Sequence, residues 1–152
     1  MKQYSFYSVD LLLDGVAVTG FNQSNAIITP DRASPQHIDV IGARGEMAVA
    51  TVADQSGIIA FSLMQTSDWN QIMQARALLD QNTGLSGNVT TFTPYQAMIN
   101  DKMGSTLVVG VNGYTPKQPS VVRGIGIVNV NWVIRFEELY SSVFSLRVVP
   151  TR

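Results

Sequence analysis

The chain has 152 residues, a net charge of −1 and no cysteine. This length allows a single domain, residues 1–152, to bury a hydrophobic core, while the lack of cysteine excludes disulfides, zinc fingers and thiol nucleophiles. Only 14% of the residues are charged, against about 25% in an ordinary soluble domain, and so neutral a chain argues against nucleic-acid binding by phosphate neutralisation.

The N-terminal part of the chain predicts a hairpin and then a long loop. Residues 4–13 and 16–21 are expected to pair as strands, because Asp14-Gly15 between them is a strong turn signal. Residues 22–35 are rich in Asn, Ser, Pro and Asp, and predict a loop with at most a short extended piece at 26–29. A loop this long in a compact domain usually has a function or is disordered.

Two nearly uncharged apolar runs follow the loop. Residues 37–41 predict a further strand, and residues 46–53 and 58–66 predict a long hairpin around the turn-forming run 54–57. The second run leads directly into the start of a helix. Strands with so little charge need another surface to lie against, supplied either by the rest of the chain or by another copy of it.

An amphipathic helix is predicted over residues 68–81, with Ser67 or Asp68 as its N-cap and an end before Thr83-Gly84. Its apolar residues fall mainly on one stripe that is expected to pack on the strands: Trp69, Ile72, Met73, Ala75 and Leu79. Its polar residues are expected to face away from the core: Asn70, Gln74 and Gln81.

The second half of the chain predicts more strands. Residues 95–100 and 105–111 form a second hairpin, and residues 112–124 form a loop that contains Gly and Pro. Residues 125–137 alternate largely between apolar and polar side chains, as a strand does, and residues 143–149 predict a last strand. The sum is a mainly β fold of two packed antiparallel sheets forming a small β-barrel, with the helix on its flank.

The residues predict no catalytic site, metal site or cofactor. The one histidine, His37, shares a strand face with Asp39, but no nucleophile motif accompanies the pair. Glu137 and Glu138 are neighbours on a predicted strand and therefore point to opposite faces, which prevents them from acting as an acid–base couple. Gly124-Ile125-Gly126 lacks the third glycine of a dinucleotide-binding loop. We therefore do not expect an enzyme.

Charge-poor strands leave sheet edges that invite pairing with other chains. Depletion of charge is typical of large protein–protein contacts, although a β-rich chain with uncharged polar faces would show it as well. A head-to-tail contact whose rotation closes would give a ring in which the strands of identical neighbours form one barrel. The loops would then suit contacts between stacked rings, through six residues: Asn22, Ser24, Asp31, Arg32, Lys117 and Gln118.

Four short segments stand in a characteristic order along the chain. They are Met1-Lys2-x-Tyr4-Ser5-Phe6, Gly42-Ala43-x-Gly45-Glu46-Met47, Asp54-x-Ser56-Gly57 and Leu63-Met64-Gln65-Thr66-Ser67. In this order and spacing they resemble the tail tube proteins of contractile-tailed bacteriophages. The resemblance covers most of the chain and is densest over residues 1–80.

The resemblance implies a virion structural protein that forms hexameric rings, which stack by helical assembly into a hollow tail tube. It implies as partners further copies of the chain, the tail sheath, the baseplate or tube initiator, and the tape-measure protein. Double-stranded DNA would pass through the lumen during ejection without specific binding. The protein would be assembled in the bacterial host cytoplasm and reside in the virion tail without membrane insertion, and the N-terminus shows no apolar stretch typical of a signal peptide.

A channel that conducts DNA should be neutral or acidic. Strand 125–137, with Asn129 and Asn131 on its polar face, is one candidate for the wall of such a channel. The predicted hairpin over residues 46–66 is the first candidate, with five residues proposed to line the lumen: Glu46, Ala48, Ala50, Ser62 and Gln65.

Two other functions stay open at this point. The first is a different tail structural protein, such as a tube terminator, a baseplate ring component, or the tube of a non-contractile tail or a secretion system. Kinship with the tubes of type VI secretion and of contractile bacteriocins is part of what the resemblance implies. The second is a small-ligand-binding β-barrel, which would need a monomer with a closed apolar cavity.

Overall fold

The computed structural model describes residues 1, 3–87, 93–103 and 106–143. The described part contains a 3-10 turn, an α-helix and nine strands. In chain order these are the turn Phe6–Ser8, β1 Val9–Leu13, β2 Val16–Ala17, β3 Ile28–Arg32, β4 His37–Ile41, β5 Met47–Thr51, β6 Gly57–Met64, α1 Asp68–Leu85, β7 Tyr95–Asp101, β8 Thr106–Tyr114 and β9 Asn129–Val143.

Seven of these strands form one antiparallel sheet in the order β2-β1-β7-β8-β9-β6-β3, and β4 and β5 pair separately as a two-stranded sheet. The long strand β9 joins the two halves of the large sheet. It pairs with β6 from Asn129 to Phe136 and with β8 from Arg135 to Val143, so β6 and β8 face each other across β9 only at Arg135 and Phe136.

The core lies on one face of the large sheet, where alternate side chains of its strands meet the helix. Trp132, Ile134 and Phe136 of β9 are fully buried at its centre. Such a core is the main favourable term in folding, because each fully buried large apolar side chain contributes about 1.5–3 kcal/mol. The surrounding buried side chains come from several strands and the helix: Leu11, Leu13, Ile59, Phe61, Leu63, Met73, Tyr95, Ala97 and Val130.

The part of β9 that pairs with both β6 and β8 is built around the Phe136 ring. A Cβ atom added at Gly110 would lie 2.8 Å from the Phe136 ring, and one added at Gly113 would lie closer still. Glycine is therefore required at both positions of β8 so that the backbone can approach the ring. Asn112 between them has a left-handed φ of 56°, and the register of β7 with β8 shifts here, between the pairs Tyr95–Gly113 and Ala97–Gly110.

Helix α1 begins as predicted and ends later than predicted. The Ser67 hydroxyl accepts from the Trp69 N–H at 3.3 Å as an N-cap. The helix continues through Gly84 to Leu85 instead of ending before Thr83, and the left-handed glycine that follows it is Gly87, with φ 79°.

The orientation of the helix differs from the predicted one. Met73 is buried as expected, but Ile72, Ala75 and Leu79 are exposed, and the polar Asn70 is buried. Apolar side chains occur around most of this helix, so their spacing alone does not define which face packs on the sheet.

Asn70 is buried because it joins the helix to two other elements. Its Oδ1 accepts from Nε1 of Trp132 at 2.9 Å, and its Nδ2 donates to the Met64 carbonyl at 2.8 Å. A buried indole N–H needs such an acceptor. The amide of Asn70 therefore selects the packed face of α1.

Arg76 holds the other side of the helix against the sheet. Its guanidinium forms an ion pair with Asp14 and donates to the carbonyl oxygens of Thr93 and Pro94 at 2.8 and 3.0 Å. It also lies 3.7 Å from the centre of the Tyr95 ring, which is a cation–π contact. The turn after β1, the helix and the start of β7 are thus joined by one side chain.

The predicted hairpin over residues 46–53 and 58–66 is wrong. β5 pairs with β4, whereas β6 pairs with β3 and β9. The reason is the turn between β4 and β5, where Gly42 donates to the Glu46 carbonyl at 2.7 Å and Gly45 adopts a φ of 86°. This shorter connection closes a local hairpin that precedes the predicted one.

The predicted closed barrel of two packed sheets is also corrected, to one large sheet with a separate two-stranded sheet. Residues 18–22 bond to strands near both ends of the large sheet. The Val18 N–H donates to the Leu11 carbonyl of β1, and the Met64 N–H of β6 donates to the Gly20 carbonyl at 2.9 Å. These are separate bonds without a continuous ladder, so no closed barrel forms in the described part of the chain.

The remaining elements follow the prediction with shifted bounds. The opening hairpin is confirmed but short, since its first residues form the 3-10 turn and β2 spans only Val16–Ala17. The predicted loop 22–35 contains strand β3. The second hairpin is confirmed as β7 and β8. The strand predicted over residues 125–137 starts and ends later than predicted, as β9. The predicted strand over 143–149 lies outside the described residues except for Val143.

Candidate functional site

The described residues do not cluster into a metal site, since no group of three His, Asp or Glu side chains lies close together among them. His37 is exposed at the start of β4, with Nδ1 3.4 Å from Oγ1 of Thr51, and Asp39 is exposed two residues further on. No helix in this part of the chain combines the length and hydropathy needed to cross a membrane.

The two neighbouring glutamates have different partners. Glu137 accepts from Nδ2 of Asn112 at 2.9 Å, whereas Glu138 accepts from the Tyr140 hydroxyl at 2.6 Å. The bond to Glu138 raises the pKa of Tyr140, because the phenol must remain protonated to donate. The two carboxylates are thus used separately within β9.

The most unusual surface of the molecule is the two-stranded sheet β4–β5. All ten of its strand residues are exposed, although most are apolar. Ile38 and Val40 keep 53% and 67% of their full exposure. An isolated two-stranded hairpin is at best marginally stable in water, and contiguous exposed apolar residues mark interaction sites.

The two faces of this hairpin differ in chemistry. Side chains alternate between faces along a strand, and directly paired residues share a face. The pairs Ile38–Ala50 and Val40–Ala48 therefore form one face without any polar side chain. We call these four residues the apolar hairpin face. The opposite face mixes polar and apolar residues: His37, Thr51, Asp39, Val49, Ile41 and Met47.

Hydrogen bonds join the two chain segments at the base of the hairpin to each other. The Val52 N–H donates to the Gln36 carbonyl at 2.9 Å, which extends the ladder beyond β4 and β5. The Asp54 carboxylate accepts from the Ser34 hydroxyl at 2.6 Å and from the Ser56 N–H at 3.0 Å. The bond from Ser34, followed by those from Ser56, lowers the pKa of Asp54 to about 2.

A second exposed apolar surface lies on helix α1. Ile72 and Leu79 keep 51% and 63% of their full exposure, and Ala75 between them is exposed as well. Residues at i, i+3 and i+7 share one side of a helix. We call Ile72, Ala75 and Leu79 the helix stripe. The sequence contained both surfaces, but helical spacing had assigned the stripe to the core. The apolar hairpin face was divided between the separate strand predicted over residues 37–41 and the hairpin predicted over residues 46–66.

Solved structures that share this fold include two tube-terminating proteins. The sheath/tube terminator of the PVC extracellular contractile injection system, in its extended state, matches with a TM-score of 0.57 and 12% identity, over 94% of this chain and 99% of that one. The tube-terminating cap of the anti-feeding prophage AFP matches with a TM-score of 0.52 and 13% identity, over 94% of each chain. No protein-family description and no curated protein matches the sequence. At such identities the likeness concerns the fold alone.

The structure separates the residues predicted to line a lumen. Ala48 and Ala50 lie on the apolar hairpin face, and Glu46 lies in the turn beside it. Ser62 lies on β6 in the seven-stranded sheet and is 9% exposed. Gln65 is half-buried after β6, where its side chain accepts from the Val128 N–H at 3.4 Å. Asn129 and Asn131, the alternative candidates, are both exposed on β9.

The residues predicted for contacts between rings also lie in different places. Asn22 and Ser24 lie between β2 and β3, as expected for a loop. Asp31 and Arg32 do not lie in a loop, because they belong to edge strand β3, where they pair with Ile58 and Gly57. The other two residues lie in the connection between β8 and β9, along a groove beside the second half of α1: Lys117 and Gln118.

Proposed function

We propose that this protein is the structural subunit of the tail tube of a contractile phage or phage-like particle, forming hexameric rings that stack into a hollow tube. The observation that carries the proposal is the shared fold over 94% of the chain with proteins named as tube terminators of contractile particles. The resemblance of four sequence segments to phage tail tube proteins supports the same conclusion independently.

The exposed surfaces suit this role. A subunit that makes extensive contacts with its copies needs apolar surfaces that remain open in the monomer, and the β4–β5 hairpin supplies one outside the core. The chain has only ten basic residues and a net charge of −1, so a lumen built from it would offer little to hold DNA in transit. In this proposal the protein catalyses no reaction and acts as a building block of the tube.

Assembly in the bacterial cytoplasm and residence in the tail follow from the same proposal. The sheath would cover the outside of the tube, the tape-measure protein would occupy the lumen before ejection, and the baseplate or tube initiator would start the first ring. Double-stranded DNA would then pass through without specific contacts. The polar outer face of β9 around Asn129 and Asn131, and the hairpin around Glu46, are the two candidate walls of the channel.

Electron microscopy of the purified protein tests the proposal. We expect stacked rings with sixfold symmetry and a central channel, at high protein concentration or after addition of a baseplate preparation. A chain that stays monomeric under both conditions and binds a small apolar ligand would contradict the proposal and favour the ligand-binding alternative.

A tube terminator is the second candidate, because two of the structures that share the fold are named as tube-terminating proteins. A tube subunit adds rings on both sides and gives tubes of variable length. A terminator would give single rings that bind only to the end of a preformed tube. Ring stacking in the absence of any other tail protein therefore favours the tube subunit, and single rings at every concentration favour the terminator.

A further inference from the structure

A groove with polar groups on both walls runs beside the second half of α1. The helix lines one wall from Ala77 to Gln81, and the start of the connection after β8, residues 114–118, lines the other. We call it the α1 groove. Its volume of about 690 Å³ lies within the range of sites that bind ligands. The polar groups on its walls define which ligand it suits.

The helix wall carries a carboxylate that the chain does not neutralise. Asp80 forms no ion pair with any described residue. Arg76, one turn earlier on α1, is paired with Asp14 and acts on Asp80 only from a greater distance. Burial raises the pKa of Asp80, because it removes water from the carboxylate, and Arg76 offsets only part of this effect. A cation that enters the groove would therefore meet an unpaired, partly desolvated carboxylate.

The other wall carries a hydroxyl that lacks a partner. Oγ1 of Thr115 is buried, as is Oη of the neighbouring Tyr95, whose residue is only 2% exposed. The two hydroxyls are neighbours, but no hydrogen bond of normal geometry joins them. Buried hydroxyls in folded proteins nearly always have a partner. The Thr115 hydroxyl is therefore available to accept a hydrogen bond from a ligand.

A guanidinium matches these groups better than other ligands do. It has five N–H donors in one plane, enough for both the Asp80 carboxylate and the Thr115 hydroxyl. The exposed ring of Tyr114 on the same wall offers a surface on which a planar cation can stack. Lys117 also lines the groove, but it makes no ion pair with Asp80. An anionic ligand would instead be repelled by Asp80.

The chain carries a suitable cation at the turn between β4 and β5. Arg44 is exposed there and forms no ion pair with a described residue. All residues of β4 and β5 are exposed, so the turn is accessible to another molecule. Arg123, the other exposed arginine of the described part, lines a different groove together with Asp68. Arg44 is thus the arginine that the fold leaves most available.

We propose that the α1 groove binds an arginine side chain and that its occupant in the assembly is Arg44 of a second copy of the chain. The choice of occupant rests on the proposed function, whereas the site itself belongs to the single molecule. Arg44 and Asp80 lie on different elements, so the contact is head-to-tail and can repeat from copy to copy.

Nuclear magnetic resonance of dilute, unassembled protein tests the site. The probe is the peptide acetyl-Gly-Arg-Gly-amide, and the same peptide with citrulline in place of arginine is its uncharged control. We expect the arginine peptide to shift the amide signals of Gln81 and Thr115 much more than the citrulline peptide does. Asp80→Asn should weaken binding of the arginine peptide about tenfold. Equal shifts from both peptides, or unchanged binding in Asp80→Asn, would overturn the site.

The variant Thr115→Val distinguishes a ligand site from an internal bond. Because the hydroxyl is unpaired, its replacement by a methyl group should leave the urea midpoint of the dilute protein unchanged or higher. Binding of the arginine peptide should become weaker. A lower midpoint with unchanged peptide binding would show that the hydroxyl serves Tyr95 within the chain, and would remove Thr115 from the site.

Charge reversal tests the occupant. Asp80→Arg and Arg44→Asp should each raise the protein concentration needed for assembly at least about tenfold, because like charges then meet in the contact. A mixture of the two variants should assemble nearly as well as the wild type, since each supplies the charge that the other lacks. The control Asp39→Arg changes the charge of the same hairpin away from its turn and should have much less effect. Circular dichroism of each variant checks that it is folded.

The outcomes separate this contact from the proposed function. Stacked rings that form equally well from both charge-reversed variants would refute the Arg44 contact and leave the tube subunit standing. Rescue by the mixture in particles that are not rings would support the contact and refute the tube subunit. A wild-type protein that never assembles, even with a baseplate preparation, and does not bind the arginine peptide would refute both.

Discussion

Replacing Asn70 by alanine should destabilise the protein by about 2–4 kcal/mol. The substitution leaves Nε1 of Trp132 without its acceptor, in a side chain that has no solvent exposure. An unpaired buried donor costs about 1–3 kcal/mol. The Met64 carbonyl also loses the bond from Asn70, but it keeps the one from the Ser67 N–H at 3.0 Å, so this second loss is near the usual 0.5–1.5 kcal/mol of one hydrogen bond.

Urea unfolding of dilute, unassembled protein measures this loss. Circular dichroism at 222 nm reports the helix and tryptophan fluorescence reports the core, and coincident curves would justify a two-state treatment. We expect the midpoint to fall while the slope with urea stays constant. The neighbouring exposed variant Gln71→Ala serves as the control and should remain within about 0.5 kcal/mol of the wild type.

A double-mutant cycle identifies the source of the loss. Trp132→Phe removes the N–H that Asn70 satisfies, so the additional cost of Asn70→Ala should be smaller in the Trp132→Phe background than in the wild type. Equal costs in both backgrounds, or an Asn70→Ala midpoint that matches the wild type, would refute the argument that Asn70 fixes the helix by pairing the buried indole.

Three further predictions follow from the packing and the charges. Gly113→Ala should cost about 1–3 kcal/mol in urea unfolding, because its Cβ would overlap the Phe136 ring, and Phe136→Leu should lessen that added cost. Arg76→Lys should lower the melting temperature by weakening the stacking on Tyr95 and the planar multi-donor contacts, with a loss of about 1 kcal/mol. Folding lowers the pKa of Asp54 from 3.8 to about 2, so its carboxylate stabilises the hairpin base above about pH 4, and this stabilisation fades as the pH falls towards 2. Proteolysis at the hairpin base should therefore become faster over this pH range in the wild type. In the variant Asp54→Asn, the rate of proteolysis should lose this pH dependence.

Several elements could be predicted because their signals are local. Asp14-Gly15 gives the first turn, with both residues at positive φ, and Ser67 caps the helix one residue before its first turn. The strand pair β7–β8 is close in sequence, and its alternation survives in the burial of Tyr95, Ala97 and Ile99. In each case neighbouring residues alone determine the conformation.

Other features could not be predicted, because they depend on residues far apart in sequence. β6 pairs with β9 although about 70 residues separate them, and no local signal in β6 indicates this partner. Asn70 faces inward because of Trp132, which no periodicity of the helix encodes.

The sequence by itself determined the charge-poor surface, the absence of thiol chemistry, the strand-rich composition and the helix start at Ser67. Only the tertiary structure decided which apolar residues stay outside the core. Alternation shows that Ile38 and Val40 are apolar in a strand, but whether they enter a core depends on what packs against that strand. Here the turn at Gly42–Glu46 closes β4 on β5, outside the large sheet, and leaves an uncovered apolar face available for another molecule.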